Sequence, residues 1–205
     1  MPQAGELLFL APNAAKHSRL TAFFRWLIVI PHAILWFFYG IGAGIAVVIA
    51  WFALLFTGRY PEGLYSFVSG FVQFNARFYA YAYLLTDVYP PFSGGPDENY
   101  PVQLQIGPAK ESYSRLWVLL RFIPLIAVYI INYAIGIVLA FVAFITWVTV
   151  IFIGRVPDGL HNALAFCISY NVRAVAYGAL LVEQFPAFET AGTGPAAPPA
   201  SPATY

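Results

Sequence analysis

Asn75 with Arg77, and Asn171 with Arg173, are the polar residues whose types and placement come nearest to chemistry in this chain. Each pair sits in an otherwise apolar segment of helical spacing, and the two pairs lie 96 positions apart. An arginine at membrane depth costs several kcal/mol unless it is paired or hydrated. One reading is a polar cavity that holds an anionic group such as a lipid phosphate. The other is snorkelling, in which the long stem carries the guanidinium out to the headgroups. No carboxylate lies in either segment, which favours headgroup or backbone-carbonyl contacts.

Other reactive residue types form no constellation. His17, His32 and His161 show no ligand spacing, so no metal site is expected. Cys167 is the only cysteine and lies in an apolar run, where a thiol behaves as a small hydrophobe. Asp87 and Glu183 occupy equivalent positions after the two segments. Paired acids can do acid–base work, but solvated charges at helix ends are the simpler reading. The expectation is therefore a non-enzymatic protein without catalytic residues, metal or cofactor.

The segments around these residues are those of a membrane protein. The chain is 60% hydrophobic, 19% aromatic and only 9% charged, against about 25% charged in a soluble domain. Basic and acidic residues nearly cancel, which argues against a nucleic-acid partner. Trp26 to Thr57 and Phe122 to Ile153 contain no Asp, Glu, Lys or Arg. About 20 apolar residues cross a bilayer core, and these runs hold about 30. The excess reads as an amphipathic turn or two along the interface near Arg25 and Arg121, with Pro31 and Pro124 bending the helices. A break at Gly40-Ile41-Gly42 is the disfavoured alternative. Each run ends in a turn, Gly58, Arg59, Pro61 and Gly63 in one case and Gly154, Arg155, Pro157 and Gly159 in the other. Glu62 and Asp158 follow the prolines and could pair with Arg59 and Arg155. These read as structural hairpin turns. The following segments, such as Leu64 to Leu85, are long enough to span but carry a polar face, so they span or lie in the interface.

Sliding the chain by 96 positions aligns Ser18-Arg19-Leu20 with Ser114-Arg115-Leu116, Arg25 with Arg121 and Trp51 with Trp147. It also aligns the two turns, Asn75 with Asn171, Arg77 with Arg173, and Ala80-Tyr81 with Ala176-Tyr177. About a third of positions agree without a gap, the mark of a duplication. The reading is a leader over 1–15, membrane repeats at 16–92 and 114–188, a loop at 93–113 and a disordered Pro/Ala-rich tail at 189–205. Val102 to Ile106 alternates as a half-buried strand does, and Leu7 to Leu10 is its counterpart; the two could pair as a short β ribbon at the membrane surface.

The architecture expected is an all-α membrane protein of four transmembrane helices, two helical hairpins from a tandem duplication. With two spans per repeat, Lys16, Arg19, Arg25, Lys110, Arg115 and Arg121 share a side with the termini, and Arg59 and Arg155 lie opposite. The positive-inside tendency puts the termini in the cytoplasm. An odd number of spans would make the repeats inverted.

Tyr100-Pro-Val-Gln-Leu, Ile30-Pro31-His32, Trp51-Phe52-Ala53, Phe56-Thr57-Gly58-Arg59-Tyr60-Pro61 and Leu84-Leu85-Thr86-Asp87 to Tyr89-Pro90-Pro91-Phe92 carry a resemblance. The unit resembles the actinobacterial membrane family known as domain of unknown function 4389 over nearly all of residues 4 to 188. The second repeat departs at Ala127-Val128 and Val182-Glu183. The resemblance implies a bacterial plasma-membrane protein and supplies no activity. The role expected is an accessory or scaffold subunit of an envelope system, with membrane lipids and other membrane proteins as partners. The alternative is a small transporter, channel or lipid-handling protein using Asn75, Arg77, Asn171 and Arg173.

Overall fold

The computed structural model describes residues 2–13 and 16–188; the tail expected over 189–205 lies outside them. Strand β1 (Leu7–Leu10) leads into α1 (Arg19–Ile28), α2 (Ile30–Thr57) and α3 (Glu62–Ala82). Strand β2 (Gln103–Ile106) then precedes α4 (Arg115–Leu120), α5 (Phe122–Ile153) and α6 (Asp158–Gly178). The described residues are thus mostly helical, with one short two-stranded sheet among them.

α1 and α2 form one helix broken at a single residue, and so do α4 and α5. Pro31 lacks the N–H that would bond Leu27 O, one turn back. Val29 N–H still bonds Arg25 O at 2.9 Å, and Ala33 N–H bonds Val29 O at 2.9 Å, so the helix resumes. Pro124 does the same beyond Arg121, where Leu125 N–H bonds Arg121 O at 3.1 Å. α2 runs unbroken past Gly40-Ile41-Gly42.

The turns end these helices as their sequence requires. Gly58 and Gly154 adopt left-handed φ of +70° and +78°, closing α2 and α5, a conformation that costs a side-chain-bearing residue about 1–2 kcal/mol. Pro61 and Pro157 stand immediately before α3 and α6, and Glu62 and Asp158 occupy their first turns, where an acid offsets the helix dipole. Asp158 accepts from Asn13 Nδ2 at 2.7 Å rather than pairing locally with Arg155.

The ribbon forms. β1 and β2 pair antiparallel, with Leu7 opposite Ile106 and Phe9 opposite Leu104. The duplication offset carries the Phe9–Leu104 pair onto the Leu8–Gln105 pair, so a pseudo-two-fold axis passes through the ribbon, perpendicular to its strands. The axis recurs where α3 packs on α6. The result is layered. The ribbon rests on α3, α3 and α6 pack on each other, and α2 and α5 pack on the outside of α3 and α6 respectively. α1 lies along α5 and α4 along α2, so each repeat's first helix braces the other repeat's long helix.

α2 and α5 have mean hydropathies of 2.2 and 2.7, and only 17% of the most apolar stretch of each is buried. A core helix of a soluble protein would be mostly covered. These two helices are long and apolar enough to cross a membrane, and the protein leaves them bare.

Candidate functional site

Asn75 and Asn171 meet on the pseudo-two-fold axis. Asn75 Nδ2 donates to Asn171 Oδ1 at 3.4 Å. Trp36 Nε1 donates to Asn75 Oδ1 at 2.8 Å, and Asn171 Nδ2 donates to Asn132 Oδ1 at 3.3 Å. Trp36 and Asn132 are themselves equivalent under the duplication. A polar ladder therefore runs from α2 through α3 and α6 to α5. Asn75 is 2% exposed. A buried amide must be satisfied, and this ladder satisfies the pair only at one register of α3 against α6.

Arg77 and Arg173 do not join this ladder. Arg77, buried, donates to Ser93 O at 3.3 Å, to Gln73 Oε1 at 3.5 Å and to Gly95 O. It holds the loop after α3 in place, with Gly94 pressed against Gly70 and Tyr39. It borders a cleft of about 360 Å³ whose lining also includes Asp97, Glu98 and the β2 backbone. Arg173 is half-buried and lines a cleft of about 380 Å³ with Glu6, Leu8, Gln105 and Phe185. The two clefts flank the ribbon and share Pro2 and Gln105 in their linings. The four polar residues singled out by spacing thus split into one axial pair and two lateral arginines, each beside its own side of the ribbon.

Two arginines that read as interfacial charges prove to be internal. Arg25 and Arg121 are 2% and 6% exposed. At the ends of α3 and α6 the carbonyls of Tyr81 and Tyr177 each accept one backbone N–H, from Leu84 and Leu180, and each arginine adds a second donor there and bonds a loop carbonyl beyond. Arg25 Nη1 donates to Tyr81 O and, at 2.9 Å, to Thr86 O. Arg121 Nη2 donates to Tyr177 O at 2.7 Å and to Val182 O. Each guanidinium also lies over a tyrosine ring, 4.3 Å from the Tyr81 centroid and 3.9 Å from that of Tyr177. Leu84 and Leu180, both at φ +63°, turn the chain sharply at these ends. The signal was in the aligned Arg25/Arg121 and Tyr81/Tyr177 pairs; their distance along the chain hid the contact.

The two clamps differ at the acid. Asp87 pairs with Arg25, accepts from Ser18 N–H at 2.8 Å and lies 3.7 Å from His17 Nδ1. Burial alone would raise its pKa, but the His17 imidazole, the Ser18 amide and Arg25 outweigh it and hold the carboxyl at about 2. Glu183 instead pairs with Lys110 at 2.6 Å. The histidines serve the fold. His32 Nδ1 lies 2.9 Å from Tyr89 Oη. His161 Nε2 lies 3.0 Å from Ala11 O, the exact counterpart of the Tyr65 hydroxyl donating to Gly107 O at 2.6 Å. Cys167 is buried, and among the described residues no three His, Cys, Asp or Glu converge as a metal set would.

A family model described as "Domain of unknown function (DUF4389)" matches the chain twice, over residues 19–94 and 115–189. No curated protein and no solved structure matches the chain. The two matches fall on the two structural repeats, and the chain belongs to the DUF4389 family as a tandem pair.

Proposed function

We propose that this protein is a membrane-resident accessory or scaffold protein of a bacterial envelope system, without enzymatic activity of its own. One observation carries the reading. The outward positions of α1, α2, α4 and α5 are apolar, among them Leu20, Phe23, Trp26, Phe38, Trp117 and Phe144, while Arg25 and Arg121 on the same helices turn inward to cap α3 and α6. An exposed apolar patch of this extent is foreign to a soluble monomer and fits lipid or a membrane partner. Asn75, Asn171, Arg25, Arg77 and Arg121 are engaged in bonds within the fold, which suits a structural role better than turnover.

A second reading, a small transporter, channel or lipid-handling protein, draws on the clefts beside Arg77 and Arg173. Asp97 and Glu98 in one cleft and Glu6 in the other weaken it as an anion site. The doubly neutralised Arg77→Gln, Arg173→Gln protein separates the two. Lost lipid binding or transport with an intact fold supports the second reading. Loss of folding or assembly, with no transport in the parent protein, supports the first.

A further inference from the structure

We infer that the protein lies along one leaflet of a phospholipid bilayer, with α1, α2, α4 and α5 in the acyl layer and the β1–β2 ribbon facing water. The inference rests on the membrane reading above and fixes its orientation.

The path of the central segment carries the argument. It leaves α3 beside the first turn of α2, where Tyr89 meets His32. It passes Gly70 and Tyr39 at Gly94 and reaches Tyr65 at Gly107. It arrives at the far end of α2, where Tyr113 N–H bonds Gly58 O at 2.8 Å. Residues 89–113 therefore run the whole length of α2, about 42 Å at 1.5 Å per residue. They carry Asp97, Glu98, Lys110 and Glu111, and Glu98 and Glu111 are exposed. Standing α2 upright in a bilayer would drag this non-helical, charged segment through hydrocarbon, where its backbone has no partner. Laying α2 flat leaves it in water.

The ends of the helices agree. Gly58 lies against Tyr113 and Arg115, and Gly154 lies against Arg19, with Gly154 O accepting from His17 N–H at 3.0 Å. The two turns thus sit at opposite ends of the slab. Two upright long helices would put them on opposite membrane faces; a flat slab puts both at one surface. Arg59 and Arg115 at one end, and Arg155 and Arg19 at the other, are exposed, rimming the apolar face with cations that suit anionic headgroups. Glu62 and Asp158 share these ends, while Glu6, Glu98 and Glu183 lie on the ribbon side. The pseudo-two-fold axis then runs along the membrane normal.

Single cysteines placed in a Cys167→Ala background test the orientation. Gly63→Cys and Gly159→Cys are suitable because a Cβ at either position meets nothing within 4 Å, and Asn99→Cys marks the central loop. Each full-length variant is labelled with a membrane-impermeant maleimide in right-side-out and inside-out bacterial vesicles. The expected result is that all three react from one side. Gly63→Cys and Gly159→Cys reacting from opposite sides would show inverted, crossing repeats and overturn the inference. Both turns reacting from the side opposite Asn99→Cys would restore four parallel crossings and overturn it equally. A protein absent from the vesicles would overturn the membrane reading itself. Bilayer depth along α2 is an independent check. Nitroxides at Phe38 and Phe56 should report equal depth, whereas an upright helix separates them by about 27 Å.

Discussion

The Arg25–Asp87 pair should be strongly coupled, and its duplicate should not. Arg25 is 2% exposed and serves Tyr81 O, Thr86 O and Asp87 at once. Arg25→Met keeps much of the stem and removes the charge. It removes the donor to Thr86 O, leaves Tyr81 O to the Leu84 N–H, and takes the cation from an acid whose side chain is only 22% exposed and which keeps Ser18 N–H, Thr21 and His17. Breaking a buried pair costs about 3–5 kcal/mol; the residual exposure of Asp87 brings the expected loss to about 2–4 kcal/mol. Asp87→Asn should cost about 1–2 kcal/mol, and the double variant should show a coupling of about 1.5–2.5 kcal/mol. In the second repeat Arg121→Met leaves the Val182 carbonyl without this donor and Tyr177 O to the Leu180 N–H, and should cost about 1–3 kcal/mol. Glu183 is bonded to Lys110 instead, so the Arg121/Glu183 coupling should stay under about 0.5 kcal/mol. Denaturant unfolding in detergent micelles, followed by tryptophan fluorescence, measures both cycles. Equal coupling in the two repeats would refute the reasoning, because the asymmetry follows solely from where each acid points.

Three further outcomes follow from the same contacts. Asp87 is held at about 2, well below the usual carboxylate range; its contribution, about 2 kcal/mol, is complete above about pH 5 and is lost as the pH falls through 2. The pH dependence of the unfolding midpoint checks this, and Asp87→Asn should flatten it. Asn171→Ala should cost about 1–3 kcal/mol by leaving the buried Asn75 amide short of a partner, Asn75→Ala about 1–2 kcal/mol because the Asn171 and Trp36 groups it leaves are half-buried, and the double variant less than their sum in the same assay. Gly107→Ala places a Cβ 1.9 Å from Gln3 O; the backbone at residues 2–6 must give way, at about 1–3 kcal/mol. Limited proteolysis should then cut the first ten residues faster, and unchanged protection would count against the close approach.

Much of this protein is determined locally and so is legible in the chain. The uncharged runs that end at Thr57 and Ile153 must be helical if lipid surrounds them, because a backbone in hydrocarbon has to satisfy itself. Gly58 and Gly154 close them because only glycine enters the left-handed region cheaply. The 96-residue offset pairs the equivalent residues of the two repeats before any coordinate is known, though not how the repeats are arranged, and the alternation of Val102 to Ile106 marks the strand that Leu7 to Leu10 completes. What sequence could not give is which residues meet across the fold. Asn75 and Arg77 are two residues apart on one helix, so they point about 200° apart; only the packing of α3 on α6 sends one to the axis and the other to the loop at Ser93. Arg25 and Arg121 look like surface cations by composition, and tertiary structure buries them against the carbonyls of Tyr81 and Thr86 and of Tyr177 and Val182. The run of residues 89–113 along α2 is likewise a matter of packing alone. Local physics settles the helices, turns and duplication, and long-range contact decides which polar groups are buried and which apolar faces stay exposed.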